Sequence, residues 1–194
     1  VVLLPVLVLS FSCKENLPPY QDPAQVFEGF VRAEYLYSLT SNTIAIQLVV
    51  QNVYDETFEG RAILEGTVEL TLARKPDVKR IFFLSDANLI QGRYQPNSRT
   101  LTIDPKDSVR LRVFWNFDDD RGRNLRQDEF RYNPDPSCPG RRIAAQETIV
   151  IRGSVKVFER TEEVKLGPVS FSFCHINAYF VGCPSVSSTA CRPQ

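Results

Sequence analysis

The sequence contains no methionine, a single histidine and a single tryptophan, and it carries no excess charge, with Lys plus Arg equal to Asp plus Glu at 23 each. The balanced charge leaves no global field to recruit nucleic acid or to hold the chain on an anionic membrane surface, so both partner classes are excluded as primary readings. Long amphipathic stretches and long alanine-rich runs are also scarce, which argues against a helical fold. Thirteen Pro, thirteen Phe and seven Tyr, together with many Val, Ile and Thr, favour strands and turns instead. With 194 residues the default is one domain with a sizeable core.

The chain opens on VVLLPVLVLSFSCKEN, residues 1–16. From Val1 to Phe11 it is apolar except at Ser10, about as long as a signal-peptide hydrophobic region and too short to span a bilayer as a helix. Ser12 and Cys13 follow, and the composition then turns polar and proline-rich in KENLPPYQDPAQ. A small residue before a cysteine, at the end of an apolar run, resembles the precursor of a bacterial lipoprotein. Ser10 stands where Leu is usual, Phe11 is bulky and Leu9 sits one place early, so the match is to the looser motif of Bacteroidota-type lipoproteins.

The resemblance implies that residues 1–12 are a signal peptide, truncated at its start since no initiator Met precedes them, and that Cys13 carries the lipid. Two or three acyl chains there hold a protein stably, whereas one holds it only marginally, each buried methylene contributing about 0.8 kcal/mol. It further implies an exported protein lipid-anchored in the cell envelope, at the outer membrane, on its periplasmic or surface face. Residues 13–25 then form a tether, which Pro18, Pro19 and Pro23 stiffen toward extended polyproline II. Lys14 and Glu15 resemble the start of a surface-export signal.

Setting Cys13 aside leaves Cys138, Cys174, Cys183 and Cys191, an even number suited to an oxidising compartment. Three pairings are open. The favoured one joins Cys183 to Cys191 around a short loop and Cys138 to Cys174 across a long one. The spacings do not suit a zinc knuckle.

Residues 26–194 read as a strand-rich domain with a long loop at 116–146 and a cysteine-rich C-terminal segment. Val26 to Ser38 is a first strand, with Phe30, Ala33, Tyr35 and Tyr37 among its apolar positions. Thr43 to Asn52 is almost wholly β-branched and apolar, as expected of a strand buried on both faces. Gly60 and Gly66 punctuate the next region. Val68, Leu70 and Leu72 alternate with polar residues, and so do Val109, Leu111, Val113 and Trp115, which set Arg110, Arg112 and Phe114 on the opposite face. Lys79 to Leu84, Glu147 to Glu159 and Val164 to Cys174 complete the set, the last with Val169, Phe171 and Phe173 inward. The stretches Gly66 to Leu70 and Gly153 to Val157 echo each other as equivalent strands.

Seven or eight strands and no convincing helix predict an all-β fold, a single antiparallel immunoglobulin-like β-sandwich. The Cys-Trp-Cys spacing of true immunoglobulin domains is absent. Thr100 to Gly122, TLTIDPKDSVRLRVFWNFDDDRG, resembles the strand, acidic-Pro turn, strand and aromatic pattern of immunoglobulin-like modules in secreted bacterial proteins.

The densest polar cluster is Asn116, Asp118, Asp119, Asp120, Asn124, Asp128 and Glu129. Alternating oxygen ligands on a loop suit Ca²⁺, with Asn116, Asp118, Asp120, Asn124 and Asp128 as the ligand set. Arg121 stands where an EF-hand needs Gly, and Gln127 where it needs Glu. Arg121, Arg123 and Arg126 offer the opposing reading of a self-paired loop. Catalysis has thinner support: His175 lies beside Cys174, and no G-x-S-x-G turn accompanies it. A Cys174 sulfur in a disulfide is unavailable as a nucleophile. Tyr20, Tyr54, Tyr94 and Tyr132 fall in expected loops, where aromatic rings suit sugar or protein contacts.

The function that follows is a non-enzymatic lipoprotein that binds or scaffolds an envelope protein or glycan. The alternatives are a calcium- or carbohydrate-binding surface module using residues 116–129, and a surface hydrolase.

Overall fold

A computed structural model describes residues 26–37, 42–135, 138–144, 146–159, 161 and 163–176. The expected signal peptide, Cys13, the tether, Tyr20, Cys183 and Cys191 lie outside the described residues. Within them the chain is an antiparallel β-sandwich. Twelve strands are described: β1 Phe27–Tyr37, β2 Asn42–Asn52, β3 Phe58–Leu72, β4 Lys75–Leu84, β5 Leu89–Gln91, β6 Arg93–Gln95, β7 Thr100–Ile103, β8 Ser108–Trp115, β9 Tyr132–Pro134, β10 Arg142–Ala144, β11 Glu147–Phe158 and β12 Val164–Phe173. Among the described residues a short α-helix, α1, covers Leu125–Asp128, and one 3-10 turn covers Asp86–Asn88.

The first sheet runs β1-β2-β8-β5. The second runs β12-β11-β3-β7-β6, and the long β3 gives half of one side to β7 and half to β4. Their inner faces meet in one core, where Ile44, Ile46, Leu48, Val50, Val109, Leu111, Val113 and Trp115 of the first sheet face Val68, Leu70, Leu72, Ile149, Ile151 and Val155 of the second. The period-two alternation of β8 and of the C-terminal half of β3 appears as expected, since each has one face on this core. In β2 the outward Ala45 and Val49 are also buried, at 3 % and 1 % exposure.

Three expectations are corrected. In β1 the core face is Phe27, Val31 and Tyr35, while Phe30 lies on the outer face under the guanidinium of Arg32. The aromatic density of FEGFVRAEYLY blurs the phase that register with β2 resolves. Gly60 and Gly66 are not breaks but interior residues of β3. A Cβ at Gly66 would sit 2.0 Å from the Ser154 carbonyl oxygen, so β3 and β11 approach closely only because this residue has none. The two echoing stretches therefore pair with each other, Gly153 opposite Val68 and Val155 opposite Gly66. Finally, residues 116–146 are not one long loop: they hold α1 and the small ladder of β9 with β10.

Asn52 shows how the loops at one end are fixed. It is fully buried; its amide nitrogen donates to the Glu56, Ile103 and Asp104 carbonyls, and its Oδ1 accepts from the Tyr54 amide. One side chain thereby satisfies backbone groups from two connections.

Candidate functional site

The structure disperses the acidic segment 116–129. Phe117 takes a left-handed backbone with φ of 64° and turns its ring into the core, so the chain leaves β8 sharply. Beyond it, Asp118 accepts the Trp115 indole hydrogen bond through its carbonyl at 2.7 Å and sets its carboxylate 3.5 Å from Arg80. Asp119 is buried and accepts from the amides of Arg121 and Arg123, both at 2.9 Å, and from the Arg123 guanidinium at 2.7 Å. Burial works to raise its pKa, but those donors outweigh it and hold the carboxyl below its ordinary value.

Asp120 lies along the edge of β4, its amide donating to the Lys79 carbonyl and its carboxylate accepting from the Ile81 amide at 2.8 Å. Asn124 caps α1 by accepting from the Arg126 amide. Glu129 is held by Lys75 at 2.8 Å, which keeps its carboxyl below the usual range. Asn116 and Asp128 are exposed. Among the described residues no three His, Cys, Asp or Glu side chains gather as a metal ion would need. The segment is a braced hairpin end that covers the open edge of β4.

Cys174 and His175 follow the end of β12. Both are buried, and neither Cys138 nor Cys174 is a free thiol. His175 is 1 % exposed. Its ring stands edge-on to Phe117 with centroids 4.7 Å apart, beside Phe130 at 5.5 Å, and its Nδ1 is 2.9 Å from the Tyr132 hydroxyl. Burial, with a smaller contribution from the Arg126 charge, drives its pKa down to about 3, and burial pushes the Tyr132 phenol up to about 12. The imidazole therefore stays neutral at neutral pH and presents no surface to a substrate. Arg126 reaches over the Phe117 ring and donates to the Asn42 carbonyl at 2.6 Å, tying the hairpin end to β2.

Of the tyrosines, Tyr54 packs on Phe58, Tyr132 serves His175, and Tyr94 donates to Asp86 at 3.4 Å. Tyr94 also lines a shallow open groove of about 540 Å³ with Glu59, Gln95 and Thr102.

The third region is the outer face of β1, β2 and β8. Strand register sets Phe30, Val49 and Arg110 in one row, Arg32, Gln47 and Arg112 in the next, and Glu34, Ala45 and Phe114 in the third. Neighbouring rows are about 7 Å apart and neighbouring strands about 4.8 Å apart. Arg32 stands 5.4 Å from the Phe30 centroid and Arg112 5.8 Å from that of Phe114, which is 49 % exposed. In these rows Ala45, flanked by Glu34 and Phe114, and Val49, flanked by Phe30 and Arg110, are both buried.

None of these three arginines enters an ion pair with a described residue. The Nε atoms of Arg110 and Arg112 are buried without a hydrogen-bond partner. Alternation placed Arg110, Arg112 and Phe114 outward, but only the register across β2 brings Arg32 and Phe30 beside them. No family model matches this chain, and neither curated proteins nor solved structures provide a similar one.

Proposed function

We propose that this chain is a lipid-anchored protein of the cell envelope, held through Cys13 at the outer membrane, and that its β-sandwich is a non-enzymatic binding module. Its binding surface is the outer face of β1, β2 and β8. The observation that carries this reading is an array of three arginines and two aromatic rings on one face, where two carboxylates, Glu28 and Glu34, also stand on β1 but none pairs with the three cations. A folded domain ordinarily pairs or disperses such charges, and aromatic rings interleaved with arginine are the composition of recognition surfaces. The Cys13 anchor and its proline-stiffened tether would hold this face off the membrane, in reach of an envelope component.

Two measurements test the proposal. The mass of the mature N-terminal peptide is expected to show an acylated Cys13, and an unmodified Cys13 or cleavage elsewhere overturns the anchor. A photo-crosslinking amino acid at Gln47, in the centre of the face, is expected to trap an envelope component in intact cells, whereas the same probe at Lys165, on the exposed side of β12, is not. Equal trapping at both positions, or none at Gln47, overturns the assignment of the face.

A further inference from the structure

We infer that the ligand of the β1-β2-β8 face is an anionic polysaccharide whose sugars carry carboxylates. The inference rests on the proposed binding role of that face and names its chemistry. Arg110 and Arg112 point the same way from alternate positions of β8, about 7 Å apart, and Arg32 lies on the far side of Gln47 from Arg112, about 10 Å across two strand spacings. The three arginines share the outer face, Arg32 rising from the edge strand β1 and Arg110 and Arg112 from β8 on the other side of β2. Arg32 is exposed, and Arg110 and Arg112 are half-buried.

Nε of Arg110 and Arg112 is buried and unbonded, whereas their terminal nitrogens are not among the buried unpartnered atoms; a guanidinium offers that terminal pair as a planar fork that matches a carboxylate. Because no described carboxylate lies within ion-pair distance, an incoming anion displaces no internal partner. Glu28 and Glu34 sit at the rim on β1, where they repel anions that overrun the three cations.

What lies between the cations distinguishes a glycan from other anions. The Phe114 ring, 49 % exposed, offers an apolar surface for the C–H faces of sugar rings beside the Arg112 guanidinium, and the Gln47 amide between Arg32 and Arg112 suits hydroxyl groups. An acidic peptide adding as a strand needs a free sheet edge. Here the strand between the cations, β2, has its backbone groups spent on β1 and β8, and the cations themselves stand on the outward face and not along an edge. A duplex nucleic acid requires a far larger excess of cations than a chain of zero net charge supplies.

Calorimetric titration of the full chain in detergent with a uronic-acid oligosaccharide, a neutral glucan oligosaccharide and a poly-glutamate peptide tests this. The expected result is saturable binding of the uronate alone, weakening as salt is raised. Arg110→Gln with Arg112→Gln is expected to reduce that affinity about tenfold or more, while shifting thermal unfolding by no more than about 2 °C. Arg61→Gln, an exposed arginine opposite Glu159 on the other sheet, is expected to have no effect on binding. Absence of uronate binding, equal binding of poly-glutamate, or affinity indifferent to the Arg110 and Arg112 changes overturns the inference. If uronate fails while the Gln47 probe still traps a component and the Lys165 probe does not, the ligand class falls and the binding role stands. If the two probes trap alike, the binding role falls with it.

Discussion

Residues 116–129 and the outer face of β1, β2 and β8 are both rich in charge, but they spend it differently. In the first, Asp118, Asp119, Asp120 and Glu129 each have a donor or cation supplied by the fold: Arg80, the Arg121 and Arg123 amides, the Ile81 amide, and Lys75. In the second, Arg32, Arg110 and Arg112 have none among the described residues. Charge whose partner is built in is structure, and charge left open on a rigid surface is available to a ligand. If the contrast holds, changes at the hairpin end cost stability, and changes on the sheet face cost binding while stability stays.

The sharpest break concerns His175, packed against the hairpin end where Phe117 and Arg126 meet the core. Its folded pKa of about 3 lies below the ordinary value of 6.5, so the unfolded chain takes up a proton that the folded chain refuses. Stability contributed by the neutral ring is fully present above about pH 6.5 and is lost as pH falls from there toward 3, by about 3–5 kcal/mol in all. His175 is the only histidine in the chain. Chemical denaturation at pH 7.0 and pH 5.5 should show about 1 kcal/mol less stability at the lower value, and His175→Gln should remove that slope. A His175→Gln protein with the same slope assigns the proton elsewhere.

Asp119→Ala comes next. It strips a buried acceptor from three donors and leaves Arg123 without its partner, so unfolding free energy should drop by about 2–4 kcal/mol. Uronate affinity should not change. A loss of affinity equal to that of the Arg110 and Arg112 substitutions would join the two regions into one site.

How much of this can be read from the chain depends on whether a residue's neighbours are local or distant. The alternation of Val109 to Trp115 needs only the pleat of one strand, and the fold class follows from several such segments. The pairing of Gly66 with Val155 needs the contact of β3 with β11, which a composition of turn-forming glycines conceals. Three-residue strands such as β9 and β10 carry too few residues for a period, and α1 announces itself only through the Asn124 cap. The acidic run reads as a ligand set because its residues are close along the chain, whereas the fold aims Asp119 inward and Asp120 at β4. The arginine face has the opposite character: Arg110 and Arg112 are visibly outward, but Arg32 is far away in the sequence and joins them only through the register of β2.

The smallest expected effects test the comparison most directly, because they predict where nothing large should happen. Arg80 and Asp118 are both partly exposed and 3.5 Å apart, so Asp118→Asn should cost no more than about 1 kcal/mol despite its place at the centre of the acidic run. On the sheet face, Arg110→Gln with Arg112→Gln should change unfolding free energy by only about 0.5 kcal/mol, since the longer stem lost beside Val49 is balanced by relief of repulsion between neighbouring cations. Equilibrium denaturation in urea measures both. A loss of several kcal/mol in the arginine double variant would mean that those stems hold the first sheet together, and the open charge on this face would then be a consequence of packing instead of a place kept for a ligand.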